Sequence, residues 1–279
     1  MSETNNSFKV AAIQMASGPK VGANLLEAKR LISTAASSGA GLIVLPENFA
    51  IMGLHESDKV RVREQEGSGQ IQEFLMEQAD SNNVWIVGGT IPLVANDENK
   101  IRAACILYDN SGRSVARYDK THLFDVHLPE TSDRYVESET IEAGKKICVQ
   151  DTPFGKLGIA VCYDLRFPEL FRGMLDNDVE LIAIPSAFTA KTGKSHWDIL
   201  VRARAIENLC YVIAADQGGY HVNGRESYGD SMVVDPWGNV LDRLPSGSGV
   251  VMASVDRSAL HKIRQSFPVL SHRKLICKV

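Results

Sequence analysis

Three residues with reactive or charged side chains each follow a run of apolar residues. Glu47 ends the run LIVLPE at 42–47, Lys120 follows a strand-like segment, and Cys162 follows the apolar run 158–161. In an α/β sheet, the carboxyl ends of strands converge on the crevice where ligands bind. A carboxylate, an ammonium and a thiol brought together there supply a general base, an oxyanion partner and a nucleophile. The three runs therefore predict a site with a cysteine nucleophile.

The sequence GIAVCYDLRFPEL at 158–170 predicts a strand, a sharp turn and a helix around Cys162. Pro168 has the fixed φ that suits the first helical position. Such a turn pushes a side chain out of the sheet, while backbone N–H groups near the helix start can face a developing oxyanion. A lone cysteine at a strand end is more often a core residue. Cys162 is therefore interpreted as a nucleophile only because Glu47 and Lys120 are found in similar positions.

The motifs around these positions resemble those of the nitrilase superfamily of carbon–nitrogen hydrolases. They are LIVLPENF, YDKTHLFD and AVCYDLRFPEL, and the resemblance extends from FKVAAIQM to PVLSHRK. It implies that Glu47, Lys120 and Cys162 form the family's catalytic triad and that Glu137, in YVESETIEAG, is its second glutamate. It also implies a four-layer α-β-β-α sandwich with two mixed sheets, within the α/β class.

Within the superfamily, the motifs are most similar to the branch that contains the amidase acting on deaminated glutathione. This resemblance implies cleavage to 2-oxoglutarate and cysteinylglycine through a thioester on Cys162, without a cofactor. The backbone N–H of Tyr163 is expected to hold the oxyanion together with Lys120. An ω-amidase of small α-keto acid amides and an N-carbamoyl hydrolase are the alternatives within the family.

Substrate-binding residues are expected on both sides of the nucleophile. Arg166 lies four residues after it, where a guanidinium suits the carboxylate of an acyl group. The alternative is that Arg166 pairs locally with Asp164 or Glu169. Phe188 and Thr189, just past the run IPSAF, are expected to line the same pocket.

Other chemistries fit the sequence less well. RESYG at 225–229 lacks the first glycine of the serine hydrolase motif. GSGQIQ at 67–72 lacks the third glycine of a dinucleotide-binding fingerprint. No Walker A motif occurs, and no local signature pairs Cys162 with a histidine. An interaction protein with a silent site is the alternative of another class.

Composition indicates an ordinary globular protein. Of the 279 residues, 44% are hydrophobic and 23% are charged. A net charge of −4 gives no reason to expect nucleic acid or an anionic membrane as a partner. No run approaches the ~20 apolar residues of a membrane span. The N-terminus is polar and leads straight into a strand, so a cytoplasmic protein is predicted.

The cysteines and histidines give no sign of a metal site. Five cysteines are scattered along the chain, at Cys105, Cys148, Cys162, Cys210 and Cys277. They form no C-x-x-C pair, which suits reduced thiols. All but Cys162 and the tail residue Cys277 lie in apolar runs and are predicted to be core residues. His122 and His127 have no matched third ligand, so no metal is predicted.

The pattern of elements predicts strands alternating with helices early and hairpins throughout. FKVAAIQM and LIVLP flank a helix that Asn24 is predicted to cap, with Glu27 completing a capping box, which favours a parallel strand pair. Ser68 is predicted to cap the next helix. Hairpins are predicted at 101–119, 147–162 and 231–244, with GVVMASVD closing the sheet.

Three longer segments complete the predicted organisation. Residues 121–145 form a polar loop, of a length that is usually functional. HWDILVRARAIENL at 196–209 predicts a helix, and DRSALHKIRQS predicts a short terminal helix. No linker composition separates these elements, so residues 1–279 are predicted to form a single carbon–nitrogen hydrolase domain, with a tail from about 266.

Two helices suggest assembly. FPELFRGM and WDILVRARAIENL are expected to keep apolar groups on their exposed sides. The resemblance implies that such helices pack across a two-fold axis, so a homodimer or a larger even homo-oligomer is predicted. Arg202, Arg204 and Glu207 could instead form a solvated helix face.

Overall fold

The computed structural model describes residues 7–127 and 134–275. The first of two large sheets has seven strands, namely β1 (Ser7–Gln14), β2 (Ala40–Val44), β3 (Trp85–Val87), β4 (Ile91–Val94), β5 (Ile101–Tyr108), β6 (Ser114–Asp119) and β17 (Gly249–Asp256). Their order is β17-β1-β2-β3-β5-β4, with β6 beside β5. The predicted parallel pairing of β1 with β2 and the predicted β5–β6 hairpin are both confirmed.

The second sheet has six strands, namely β9 (Val149–Thr152), β10 (Gly155–Ile159), β11 (Leu181–Ser186), β12 (Tyr211–Asp216), β15 (Ser231–Val234) and β16 (Val240–Leu244). Strands β10, β11 and β12 are parallel, whereas β9 and the β15–β16 hairpin are antiparallel to their neighbours. Two small hairpins are formed by β7 (Asp125–His127) with β8 (Arg134–Val136), and by β13 (Gly218–Tyr220) with β14 (Glu226–Tyr228).

Helices cover the outer faces of the two sheets. The α-helices are α1 (Val21–Ser37), α2 (Asp58–Arg61), α3 (Gln70–Asn82), α4 (Pro168–Leu175), α5 (Ala190–Asn208) and α6 (Arg257–Ser266), and 3-10 helices span Glu137–Glu139 and Cys162–Arg166. None of the helices in the described ranges is long and apolar enough to cross a membrane.

Side chains that alternate along β1 explain the layering. Val10 and Ala12 are fully buried among residues of the second sheet, whereas Ala11 and Ile13 are buried among residues of α1 and α3. This alternation places both faces of one strand in apolar surroundings. The opposite face of the second sheet packs on α4 and α5 through residues such as Phe171. The described residues therefore form the predicted helix–sheet–sheet–helix sandwich.

The predicted start of α1 is wrong. The helix begins at Val21, so Asn24 is a residue of the helix and not its N-cap. The Asn24 side chain accepts a hydrogen bond from Gly18 N–H and donates to the carbonyl of Ala50, both at 2.8 Å. Glu27 pairs with Arg30 at 2.7 Å and forms no capping box. Asn24 therefore ties the helix to two loops.

Two other helices begin differently from the prediction. Ser68 does not cap α3, because the carboxylate of Glu64 accepts from the N–H groups of Ile71 at 2.6 Å and Gln72 at 3.1 Å. Helix α5 begins at Ala190, six residues before the predicted start. Its first turns are polar and so lack the apolar period that predicts a helix.

The 121–145 segment is more ordered than a loop. Its described part contains the β7–β8 hairpin and the 3-10 helix Glu137–Glu139. The alternative of a solvated face formed by Arg202, Arg204 and Glu207 is wrong for Arg204, which is buried and donates to the Leu165 carbonyl at 2.8 Å and 3.0 Å. Arg202 is exposed, and Glu207 is partly exposed.

Candidate active site

Three strand ends bring Glu47, Lys120 and Cys162 together. Glu47 lies just past β2, Lys120 follows β6, and Cys162 follows β10, so both sheets contribute. Lys120 Nζ lies 2.8 Å from Glu47 Oε1. Lys120 is fully buried, and Glu47 and Cys162 line one pocket. The three residues therefore lie together at one site. Strands of both sheets position them, whereas the argument from the sequence considered the strand ends of a single sheet.

Glu137 joins this cluster from its 3-10 helix. Its Oε1 and Oε2 lie 3.0 Å and 2.7 Å from Lys120 Nζ, and Oε2 accepts from Phe124 N–H at 2.8 Å. Burial acts foremost to raise the pKa of Glu137, but the charges of Lys120 and Lys59, together with the hydrogen bonds from Lys120 and the Phe124 N–H, lower it below its usual value. Burial likewise acts to lower the pKa of Lys120, but Glu137 and Glu47 raise it well above its usual value. Lys120 therefore stays an ammonium.

Cys162 has an unusual backbone conformation. Its φ is +47°, in the left-handed region that a non-glycine residue adopts at a cost of ~1–3 kcal/mol. Burial foremost, with the charge of Glu47, raises the pKa of its thiol well above the usual value, while Lys120 and the Ala187 N–H oppose the rise. The resting residue is therefore a thiol, and it needs a base to become a nucleophile.

Asp164 holds the turn that carries Cys162. Its fully buried carboxylate accepts from Val161 N–H at 2.8 Å, from the Tyr118 hydroxyl at 2.8 Å and from His122 N–H at 3.0 Å. The ring of His122 lies 2.7 Å from the same carboxylate and stacks on Phe167. His122 is thus engaged in hydrogen bonding. No group of three or more potential metal ligands occurs in the part of the chain that the structure describes.

Arg166 lies at the pocket, as predicted. Its guanidinium lies 5.1 Å from the centre of the Phe188 ring and 5.8 Å from that of Tyr163, and Nη1 is 3.2 Å from His196 Nδ1. These contacts, and not a pairing with Asp164 or Glu169, hold it in the described structure. The pocket that contains Cys162 is also lined by Tyr163, Arg166, Phe188 and Thr189.

Sequence reasoning missed several residues of the site. Arg225 lines the pocket from the β13–β14 hairpin, and Asn48, Phe124 and Thr192 line it as well. The sequence around Arg225 fails as a serine hydrolase motif, and nothing local marks it as a pocket residue.

Two further buried residues hold the pocket walls. Gln217 Nε2 donates to the Glu47 carbonyl at 3.0 Å. The carboxyl group of Asp216 accepts from Phe188 N–H at 2.8 Å and Gly229 N–H at 3.1 Å. Burial raises the pKa of Asp216 well above its usual value. In the sequence, Asp216 and Gln217 are marked as site residues only by following the apolar residues of β12.

The remaining cysteines differ from Cys162. Cys105 and Cys210 are fully buried, and Cys148 is partly buried. Burial raises the pKa of Cys148 to about 11 and that of Cys210 to about 12. Neither thiol lines the pocket. Cys277 lies outside the described residues.

Comparison with known proteins adds independent information. The sequence model of the family "Carbon-nitrogen hydrolase" matches residues 9–265. "Deaminated glutathione amidase" of Synechocystis sp. is 40% identical over 272 residues, which cover 96% of this chain and 99% of that protein. The protein of the same name from Yersinia enterocolitica is 38% identical, with 96% and 93% covered.

A solved structure has the same fold. The crystal structure of the Caenorhabditis elegans NitFhit protein matches with a TM-score of 0.89 and 37% sequence identity. The match covers 96% of this chain, whereas this chain spans 65% of the NitFhit chain.

Proposed function

We propose that this chain, which belongs to the carbon–nitrogen hydrolase family, hydrolyses the amide bond of deaminated glutathione. The products are 2-oxoglutarate and cysteinylglycine. The observation that carries the proposal is one pocket lined by Glu47, Glu137 and Cys162, with Lys120 bonded to both carboxylates. The names of the relatives support the choice of substrate.

The first half of the reaction forms a thioester. Glu47 takes the proton of the Cys162 thiol, and the thiolate attacks the amide carbonyl carbon. Lys120 and the Tyr163 backbone N–H stabilise the oxyanion, and one such donor is typically worth about 3–4 kcal/mol. Collapse of the tetrahedral intermediate breaks the C–N bond, and Glu47 returns its proton to the leaving amine.

The second half releases the acid. Glu47 takes a proton from water as the water attacks the thioester. The C–S bond then breaks, and Glu47 gives that proton to the departing Cys162 sulfur, which restores the thiol. Glu137 keeps Lys120 in place through its two short contacts of 2.7 Å and 3.0 Å. None of these steps uses a cofactor.

Arg166 is the proposed partner of the acyl carboxylate. It is half-buried at the pocket beside Phe188 and Thr189, which contact the acyl chain in this proposal. A guanidinium binds a carboxylate through two parallel hydrogen bonds.

Substrate preference tests the proposal. We expect a higher kcat/KM for deaminated glutathione than for α-ketoglutaramate, because the leaving dipeptide adds contacts that ammonia lacks. The measurement is the rate of 2-oxoglutarate release from each amide. A preference for α-ketoglutaramate would favour an ω-amidase, preference for a carbamoyl substrate would favour an N-carbamoyl hydrolase, and failure to hydrolyse any amide would favour an interaction protein.

We also propose that the chain forms a homodimer or a larger even oligomer. On the outer side of α5, Ile199 and Ile206 are 67% and 47% exposed. Burial of such apolar side chains favours association. Sedimentation is expected to give a multiple of the 30.5 kDa chain mass. A stable monomer at micromolar concentration would contradict this.

A cytoplasmic location and a single domain complete the proposal. Cys105, Cys148, Cys162 and Cys210 are free thiols, which suits a reducing compartment. The family match across residues 9–265 supports one domain. Cell fractionation tests the location, and recovery of the protein from an oxidising compartment would contradict it. Limited proteolysis tests the single domain, and two stable fragments would contradict that.

A further inference from the structure

Two arginines are among the described residues that line the active-site pocket. Arg166 has a role in the function proposed above, whereas Arg225 has none. Arg225 lies in the β13–β14 hairpin, and its guanidinium carbon is 4.8 Å from the centre of the Tyr135 ring. Its side chain is 22% exposed, so a ligand in the pocket can reach it.

A row of three aromatic rings connects the two arginines. The ring of Tyr135 lies 5.2 Å from that of Phe124, and Phe124 lies 5.0 Å from Tyr163. Arg225 stands over the first ring of the row, and Arg166 stands over the last. Tyr163 directly follows the nucleophile in the chain. The row of rings therefore links both guanidinium groups to the neighbourhood of the nucleophile.

Arg225 shares its carboxylate partner Glu56 with a second cation. Glu56 is shared by two cations, at 3.1 Å from Lys59 Nζ and 3.0 Å from Arg225 Nη1. The charge of Lys59 foremost, with that of Arg225, lowers the pKa of Glu56, so it is ionised. Arg225 therefore does not hold the Glu56 carboxylate for itself, although Lys59 also interacts with the charge of Glu137. A guanidinium has five N–H donors, and the bond to Glu56 uses one nitrogen.

We propose that Arg225 binds the terminal carboxylate of the leaving amine. This inference rests on the proposed function, in which the substrate carries one carboxylate on its acyl part and one at the end of the departing dipeptide. Arg166 holds the first and Arg225 holds the second, so the scissile amide lies between them at Cys162. Arg225 then sets the preference for a peptide leaving group over ammonia.

The test compares two substrates that differ only at the far end. One is deaminated glutathione, and the other is its C-terminal carboxamide, which has the same size and lacks that charge. We expect the wild-type enzyme to prefer the carboxylate by about 10–100-fold in kcat/KM, the scale of a charge-assisted hydrogen bond. In Arg225→Ala this ratio is expected to fall towards one, mainly through KM, and Arg225→Lys is expected to retain part of it.

A matched control is Arg113→Ala. Arg113 is an exposed arginine that pairs with Asp109 at 2.7 Å in the β5–β6 turn, and its variant is expected to keep the wild-type ratio. If Arg225→Ala does not fold, Arg225→Gln carries the same comparison.

The outcomes separate the two proposals. A carboxylate preference that survives loss of Arg225, or an equal fall for both substrates, would overturn the inference and leave the proposed function standing. A wild-type enzyme that hydrolyses neither substrate would overturn both.

Discussion

The pocket has a buried inner end and a half-buried outer end, and the two are built differently. The catalytic end, consisting of Glu47, Lys120 and Cys162, is almost fully buried and follows strands of both sheets. The arginine end, consisting of Arg166 and Arg225, is half-buried and is held by aromatic rings. Buried charges persist only where each has a partner at bonding distance. In the proposed function, strand ends position the groups that do the chemistry, whereas the end of a 3-10 helix and the turn of a hairpin carry the two arginines that bind the substrate.

The largest effect is expected at the catalytic end, from Cys162→Ala. Without the nucleophile no thioester forms, so kcat is expected to fall by about 10⁶-fold. The matched control is Cys210→Ala, which removes a buried thiol that does not line the pocket. Turnover and thermal unfolding of both variants check this, and more than a trace of activity in folded Cys162→Ala would contradict it.

The next effect is expected from the charged pair at the same end. Glu47→Gln removes the general base, and Lys120→Ala removes the oxyanion partner, so each is expected to lower kcat by about 10²–10⁴-fold. Lys120→Ala also leaves two buried carboxylates without their cation, which is expected to cost about 3–5 kcal/mol of unfolding free energy.

The control for this pair is Glu180→Gln. Glu180 is a buried carboxylate that bonds Arg257 and His261 and does not line the pocket. It is expected to lose stability while keeping kcat. Equal kcat losses in Glu180→Gln and Glu47→Gln would show that burial, and not chemistry, explains the effect.

The two ends also differ in how far the sequence predicts them. Glu47, Lys120 and Cys162 each follow an apolar run, and strand ends converge, so their local sequence predicts the cluster. The role of Asp164 in holding the turn was not predicted, because its partners Tyr118 and His122 come from another part of the chain.

The missed features depend on contacts between distant segments. Arg225 reaches the pocket through a hairpin whose position depends on tertiary packing. Glu64, whose carboxylate accepts from the first turn of α3, lies six residues before the helix begins at Gln70. Strand β4 (Ile91–Val94) was not predicted, since four residues that include a proline carry little periodicity. The sandwich itself was predicted from the family resemblance, and the strand pairings from turns and alternation.

At the arginine end, a smaller effect is expected from Arg166→Ala. Loss of a bidentate contact to the acyl carboxylate is expected to raise KM by about 10–100-fold with less change in kcat. The loss should be similar for deaminated glutathione and α-ketoglutaramate, because both carry this carboxylate. Steady-state kinetics on both amides check it. An unchanged KM would remove Arg166 from substrate binding.

The last change concerns the pH dependence of alkylation at the catalytic end and involves no substitution. Burial foremost raises the pKa of Cys162, so the thiolate fraction is small at neutral pH and grows as pH rises. Without substrate, the rate of iodoacetamide modification of Cys162 is expected to increase about tenfold per pH unit between about pH 7 and 9. Mass spectrometry of the labelled peptide measures this. A plateau below about pH 8 would show a lowered pKa instead.

Trapping the acyl-enzyme tests the central claim most directly. Methanol added during turnover competes with water for the thioester and yields a methyl ester of 2-oxoglutarate with release of the Cys162 thiol. If deaminated glutathione and α-ketoglutaramate pass through the same acyl group on Cys162, the ratio of methyl ester to 2-oxoglutarate is expected to be identical for both, whatever their rates. Absence of the ester, or ratios that differ between the two amides, would contradict a common thioester intermediate.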